Sequence, residues 1–279
     1  MASYFGLIAA SIVGGHFLVS QPATPASIFV GALLVVFIGT RLRGLNNIVH
    51  ECSHATFTRK RKENEFIGSL CASAVLGCFK DYRAEHLTHH KHLGDYERDL
   101  DLQNIKDLRL HDPLTRETVM RHITNPLLGR HLPYYLNFNL SRADGLGFQL
   151  MKMSILLGVV VFTAVLPLTS LIFVILPYSL VYSTLNYWAD CMDHAGLIEG
   201  DDDLESSRNI LAPFPLRALF FPRYDCFHLV HHLFPQVPAR HLETTHFVLV
   251  QDEIYQSKQN AVGGAAGPEP RPADAVAPS

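Results

Sequence analysis

The 279-residue chain is 48% hydrophobic and only 18% charged, with a formal net charge of −3. Apolar content gathered in blocks excludes an ordinary soluble domain, and the near-neutral balance singles out no class of partner. Five cysteines without a C-x-x-C pair exclude a secreted disulfide scaffold and read as reduced packing thiols.

The N-terminus carries no basic stretch or small-residue cleavage site, so no removed signal peptide is expected. Residues 4–20 form the first apolar run, interrupted chiefly by His16, which reads as a helix-bridging polar residue rather than a ligand. About 20 helical residues cover the ~30 Å hydrocarbon core of a bilayer, so this run is just long enough to cross. Two prolines, Pro22 and Pro25, make a turn, and a second run from 26 to 40 continues as a helical pattern to His54. Arg59-Lys60-Arg61-Lys62 follows, and basic residues beside a span mark its cytoplasmic end.

Residues 66–79 are apolar but too few to cross, which fits an interfacial or re-entrant helix. Residues 93–145 are polar, with scattered arginines at 109, 116, 121, 130 and 142 that read as the solvated face of short cytoplasmic helices. The aromatic and glycine patterning of a nucleic-acid site is missing, so no nucleic-acid partner is expected. Two further spans follow, with Pro167 at the turn between them and Pro177 inside the fourth, where a kink is expected. Residues 200–203 read as an acidic loop and 214–221 as another interfacial segment.

The reading is an all-α integral membrane protein: four transmembrane helices in two hairpins, interfacial helices and a cytoplasmic histidine-rich cap. Residues 1–256 form one domain with spans at about 4–20, 26–48, 146–166 and 168–189, and 257–279 form a disordered tail by composition. Both termini and every histidine cluster fall on the cytoplasmic side of a membrane, taken to be a bacterial inner membrane.

Sixteen histidines are many for this length, and half lie in three clusters: His50-Glu51-Cys52-Ser53-His54, His86-Leu87-Thr88-His89-His90 and His228-Leu229-Val230-His231-His232. On a helix, positions i, i+3 and i+4 share a face, so each cluster can aim its imidazoles at one point. Neutral imidazole suits iron, zinc, copper and nickel. Eight such ligands exceed the needs of one ion and suit two. His194 is a ninth candidate, and Asp190, one turn before it, a tenth, direct or through water. Zinc hydrolases use few ligands and a general-base carboxylate; nitrogen ligation of two redox metals fits oxygen chemistry better. Glu51, Glu85, Asp193 and Asp225 lie within or beside the clusters and could orient the imidazoles. His111, His122, His131 and His241 read as surface residues, His92 lies on another helical face, and His246 reads as a structural hydrogen-bonding group. Tyr182, Asn186 and Tyr187 approach the site along the fourth span, lining the substrate path or simply packing.

His50-x-x-x-His54, His86-x-x-His89-His90 and His228-x-x-His231-His232, in this order between paired spans, resemble the three histidine boxes of the membrane fatty-acid desaturase superfamily. The segment His231-His232-Leu233-Phe234-Pro235-x-x-Pro238 is similar to the one after the third box of acyl-lipid desaturases. The first box has three intervening residues rather than the four usual in the acyl-CoA branch, which points to acyl-lipid-type or bacterial natural-product members. The resemblance implies two Fe(2+) ions held by the nine histidines and O2 as co-substrate. The substrate is an aliphatic or lipid-like molecule in which a C=C bond is made. No fused electron carrier fits in the chain, so electrons are expected from a separate ferredoxin, rubredoxin or cytochrome b5-type protein. Alternatives are a hydroxylase on the same scaffold, a desaturase of a small amino-acid-derived compound of the dihydrorhizobitoxine type, a catalytically silent relative or, from another class, a divalent-metal transporter.

Overall fold

A computed structural model describes residues 1–136, 138–198, 204–258 and 260–262. Helix α1 (Ala2–Val19) runs into a short turn, and Thr24 starts α2 (Pro25–Ser53). Thr24 Oγ1 accepts from Ser27 N at 3.1 Å while Ser27 Oγ accepts from Thr24 N at 2.9 Å. This reciprocal cap, with proline in the first turn, satisfies amides the helix start would leave bare. At 1.5 Å per residue, 29 residues reach about 44 Å. That length exceeds a ~30 Å hydrocarbon core by about two and a half turns.

Helix α3 (Arg61–Ala74) begins and ends five residues earlier than the apolar run suggested. Leu76 takes a left-handed backbone, φ +60, and breaks the chain direction, so Phe79 opens α4 (Phe79–His92) instead of closing α3. Short helices follow: α5 (Leu100–Asn104), α6 (Arg116–Leu127) and α7 (Leu132–Tyr135). Then come α8 (Leu146–Val165) and α9 (Pro167–His194), which with α1 and α2 are the four described helices long and apolar enough to cross a membrane. The disturbance that Pro177 brings to α9 takes the form of π-helical turns at Leu171–Ile175 and Pro177–Tyr182, not a break.

Strand β1 (Arg208–Ile210) and helices α10 (Phe214–Phe220), α11 (His228–Leu233), α12 (Ala239–Leu249) and α13 (Glu253–Lys258) complete the cap. Strand β2 (Asn260–Val262) pairs in parallel with β1, Arg208 opposite Asn260. The described residues are thus mostly helical with one pair of three-residue strands, the second of which lies in the stretch read as tail. The backbone groups of β1 recruit that segment as a second strand. The rest of the tail and the acidic loop at 200–203 lie outside the described residues.

Helix α2 is central, packed by α1, α3, α4 and α9. Close approach depends on glycine: a Cβ on Gly39 would lie 2.4 Å from Val181 of α9. His16 bridges α1 to α9, its Nδ1 3.0 Å from Thr169 Oγ1, as its sequence position suggested. A core of Leu45, Ile48, Val49 and Cys52 with Cys71, Ala72, Val75 and Phe79 lies directly against the ends of α2 and α4 that bear histidines. All five cysteines are free and buried.

Helix α6 is turned inside out. Val119, Met120, Ile123 and Leu127 are exposed, while Thr118, His122 and Asn125 are buried against α9. His122 Nδ1 lies 2.6 Å from Tyr187 Oη, and His131 Nε2 lies 3.1 Å from Ser183 Oγ. His122 and His131 are therefore interior residues, not surface ones, because each packs its ring against a hydroxyl of α9. Tyr187 is fully buried in this network, in keeping with packing, the second of its two expected roles.

Candidate metal centre

The nine histidines come together in two sets. His50, His54, His86, His90 and His231 form one, and His89, His194, His228 and His232 the other; within each set the donor atoms lie within 4.8 Å of one another. Helical geometry explains how. His50 and His54 close α2, His86, His89 and His90 lie along one side of α4, His194 ends α9, and the third cluster forms α11. The sets abut: the rings of His90 and His232 stack with centroids 4.3 Å apart.

Nε2 atoms face inward throughout. In the five-donor set, His54 lies 2.9 Å from His86, His86 3.1 Å from His90, and His90 3.1 Å from His231. In the four-donor set, His89 lies 3.2 Å from His194, His194 2.9 Å from His228, and His228 2.9 Å from His232. Two nitrogens each ~2.1 Å from a common ion lie about 3.0 Å apart at a right angle and about 3.4 Å apart at the tetrahedral angle. The spacing matches the right angle of five- or six-coordinate ions rather than a tetrahedral zinc site. His50 Nε2 is buried without a hydrogen-bond partner, as a ligand nitrogen awaiting an ion would be. The donor set thus fits two divalent metals.

Two of the outward Nδ1 atoms are seen to meet acceptors. His89 Nδ1 donates to Asp99 Oδ2 at 2.9 Å, and His194 Nδ1 to the Ser206 carbonyl at 3.1 Å. Asp101 lies 3.8 Å from His86 Nδ1 and Asp193 3.5 Å from His228 Nδ1. The Asp99 and Ser206 acceptors put the ring proton of His89 and His194 on Nδ1 and leave Nε2 free to ligate, while Asp101 and Asp193 are nearby negative charges. Of the four carboxylates expected in this role, only Asp193 meets an imidazole. Glu51 pairs with Arg223 and Asp225 with Arg43, tying α2 to the loop before α11. Glu85 lines a cavity. Asp99 holds His89 instead, with Asp101 as a more distant charge near His86. Asp190 is not among the converging donors: its Oδ2 accepts from Tyr135 Oη at 2.6 Å.

Burial keeps most of the imidazoles neutral. It is the leading cause holding His54 down at about 3, with His50 and Arg83 adding to it, and His90 at about 2, with His54 and His89 adding. Burial likewise holds His86, His228, His231 and His232 well below the usual range. For His89 burial also pulls down, but the Asp99 hydrogen bond and the charges of Asp101 and Asp99 outweigh it and raise the pKa. Neutral imidazole is the form that binds metal.

Beside the donors lies a cavity of about 570 Å³, reached by His50, His86, His89, His194 and His228 and lined by Asn186 and Asp190. A second cavity of about 110 Å³, bounded by Val49, Val75, Tyr178 and Tyr182, shares Asn46, Cys78, Tyr82 and Tyr135 with the first.

The family model described as fatty acid desaturase matches residues 26–259, which span all three histidine clusters. The chain belongs to the fatty acid desaturase family. It is 28% identical over 264 residues to the dihydrorhizobitoxine desaturase of Bradyrhizobium elkanii, covering 86% of this chain and 74% of that protein. It is 30% identical over 98 residues to the chloroplastic sn-2 acyl-lipid omega-3 desaturase (ferredoxin) of Arabidopsis thaliana, covering 35% of this chain and 22% of that one. To the endoplasmic-reticulum acyl-lipid omega-3 desaturase (cytochrome b5) of the same plant it is 25% identical over 231 residues, covering 73% and 59%. It thus spans less than two thirds of either plant desaturase. This membership agrees with the resemblance drawn from the histidine clusters.

Proposed function

We propose that this desaturase-family chain is an O2-dependent membrane desaturase that uses the nine histidines as ligands to two iron ions. The observation that carries the reading is the convergence of nine imidazole nitrogens, from four separate helices, into two abutting sets at right-angle spacing. Reduced iron at these sets would supply the O2 activation that removes hydrogen from an unactivated C–H bond. The balance is O2, two electrons and two protons from outside, and two hydrogens from the substrate, giving two waters and a C=C bond. The electrons come from a separate donor protein. The names of two relatives, which carry ferredoxin and cytochrome b5, support a carrier of that kind.

The residues of the chain hold the reactants in place. Asp99 fixes the His89 tautomer, Asp101 and Asp193 set negative charge beside His86 and His228, and the Glu51–Arg223 and Arg43–Asp225 pairs lock α11 against α2. The cavity beside the donors holds substrate and limits water. The four apolar helices form two hairpins, with the cap on the cytoplasmic side. Helix α6 lies in the headgroup layer, its apolar face toward lipid.

The test is expression in a host of known lipid profile, followed by lipidomics and a scan for small unsaturated metabolites. A new alkene in the host carrying the intact protein is expected, and an alcohol in its place would make the protein a hydroxylase. His89→Ala should abolish turnover and lower bound iron. Full turnover at normal iron content in that variant would overturn the assignment.

A further inference from the structure

The 570 Å³ cavity beside the histidine donors is the size of a small-molecule site. Leu102, Ile105, Pro133 and Tyr82 contribute to its wall, but polar groups make up the larger part. Asn46, Asn104, Asn139 and Asn186 line it, with Asp81 and Asp190. A methylene chain laid along this wall would strip water from amides and carboxylates and return no hydrogen bonds, which is costly at each group.

Glu85 lies on the wall next to His86 on α4, and the other charges can be sorted. Asp101 and Asp193 face His86 and His228 and belong to the metal sets. Asp225 is paired with Arg43, which also donates to Asn186 Oδ1 at 2.8 Å. Arg43 is the one arginine or lysine among the described lining residues, and it is already engaged. A substrate carboxylate or phosphate therefore meets no unengaged arginine or lysine among the described lining residues. Asp81 accepts from Asn139 Nδ2 at 2.8 Å. Asp190 accepts one hydrogen bond, from Tyr135 Oη, although an ionised carboxylate can accept about four. It stands one helical turn before His194, so a group bound to it places the next few atoms of the same molecule at the donors. The smaller tyrosine-lined cavity opens from the same side and suits a short apolar end.

We propose that the chamber takes a small amphipathic amine, whose ammonium group is held by Asp190 with Asn186 beside it, rather than a long acyl chain. The proposal rests on the desaturase reading and names its substrate class. Asp190 is then the residue that sets specificity, which also accounts for its place outside both donor sets.

The test is equilibrium binding of three probes of equal length, hexylamine, hexanol and hexanoate, to the iron-loaded protein in lipid nanodiscs, with empty nanodiscs as the blank. Hexylamine should bind at least tenfold more tightly than either of the others. In Asp190→Asn that preference should fall below threefold while iron content stays at the wild-type level. Equal binding of the three probes, a preference for hexanoate, or an undiminished amine preference in Asp190→Asn would overturn the proposal. The wild-type order is decisive even if the variant fails to fold. Binding is read without turnover, so the two readings fail separately. Iron-free protein would count against the desaturase reading, whereas an iron-loaded protein that prefers hexanoate counts against the amine alone.

Discussion

His231 and His232 are neighbours in the chain but serve different donor sets, His231 joining His50, His54, His86 and His90, and His232 joining His89, His194 and His228. On α11 adjacent residues point about 100° apart, so one short helix can serve two ions. His231→Ala and His232→Ala should therefore each lower bound iron from about two per chain toward one, and each should abolish turnover. The two remaining ions should differ in spectroscopic signature, since one is left with the four-donor set and the other with the five-donor set. Loss of both ions in either variant, or identical spectra, would mean that the sets are not independent.

The tautomer of His89 depends on Asp99. Asp99 is fully buried and uses both oxygens: Oδ2 accepts from His89 Nδ1, and Oδ1 accepts from Leu102 N at 3.0 Å to start α5. Asp99→Asn can keep the cap through its remaining oxygen. Its amide nitrogen would then donate toward His89, and the ring would have to move its proton to Nε2, where it blocks ligation. Loss of such an orienting partner typically costs 10–100-fold in metal affinity. Metal titration should show that loss for the four-donor ion only, with helix content unchanged. Wild-type affinity in Asp99→Asn would overturn this role.

Much of this was legible beforehand because it is periodic. The i, i+3, i+4 histidines and the apolar runs carry their geometry in their spacing, and the sequence order of the clusters carried the family. The roles of Asp99 and Asp101 were not legible, since a turn of irregular backbone brings them back onto α4 and no period marks it. The split into two sets was equally hidden: it depends on how four helices cross. Helix α6 was legible in part: Arg116 is exposed, as a solvated face requires, but His122 and Asn125 are buried and Val119, Met120, Ile123 and Leu127 face outward, which no period marks.

Protons should compete with folding in the metal-free protein. The folded pKa values of His54, at about 3, and His90, at about 2, lie below the unfolded value near 6.5. His86, His228, His231 and His232 are depressed as well. Between those limits the unfolded chain binds more protons, so stability falls as pH falls below about 6.5. His89 opposes this, since its raised pKa gives stability that is full below the unfolded value and lost as pH rises through the folded one. Six depressed imidazoles outweigh one. Chelator-stripped protein should melt at a clearly lower temperature at pH 5.5 than at pH 7.5, and an equal or higher melting temperature at pH 5.5 would contradict the buried neutral state of these rings.

Helix α6 supplies its own depth gauge. The chain has a single tryptophan, Trp188, whose Nε1 donates to the His122 carbonyl of α6 at 3.1 Å. Helix α9 is 28 residues long, about 42 Å, so a ~30 Å hydrocarbon core entered at Pro167 ends near Trp188. Tryptophan favours that boundary. The outward face of α6, with Leu127 79% exposed, then meets the lipid glycerol and upper acyl region instead of water. In bilayers of brominated lipid, Trp188 fluorescence should be quenched strongly by bromines near the headgroup and weakly by bromines near the chain ends. Aqueous iodide should quench it little. Strong iodide quenching with no response to shallow bromines would place α6 in water and return the stretch from 93 to 145 to a solvated cap.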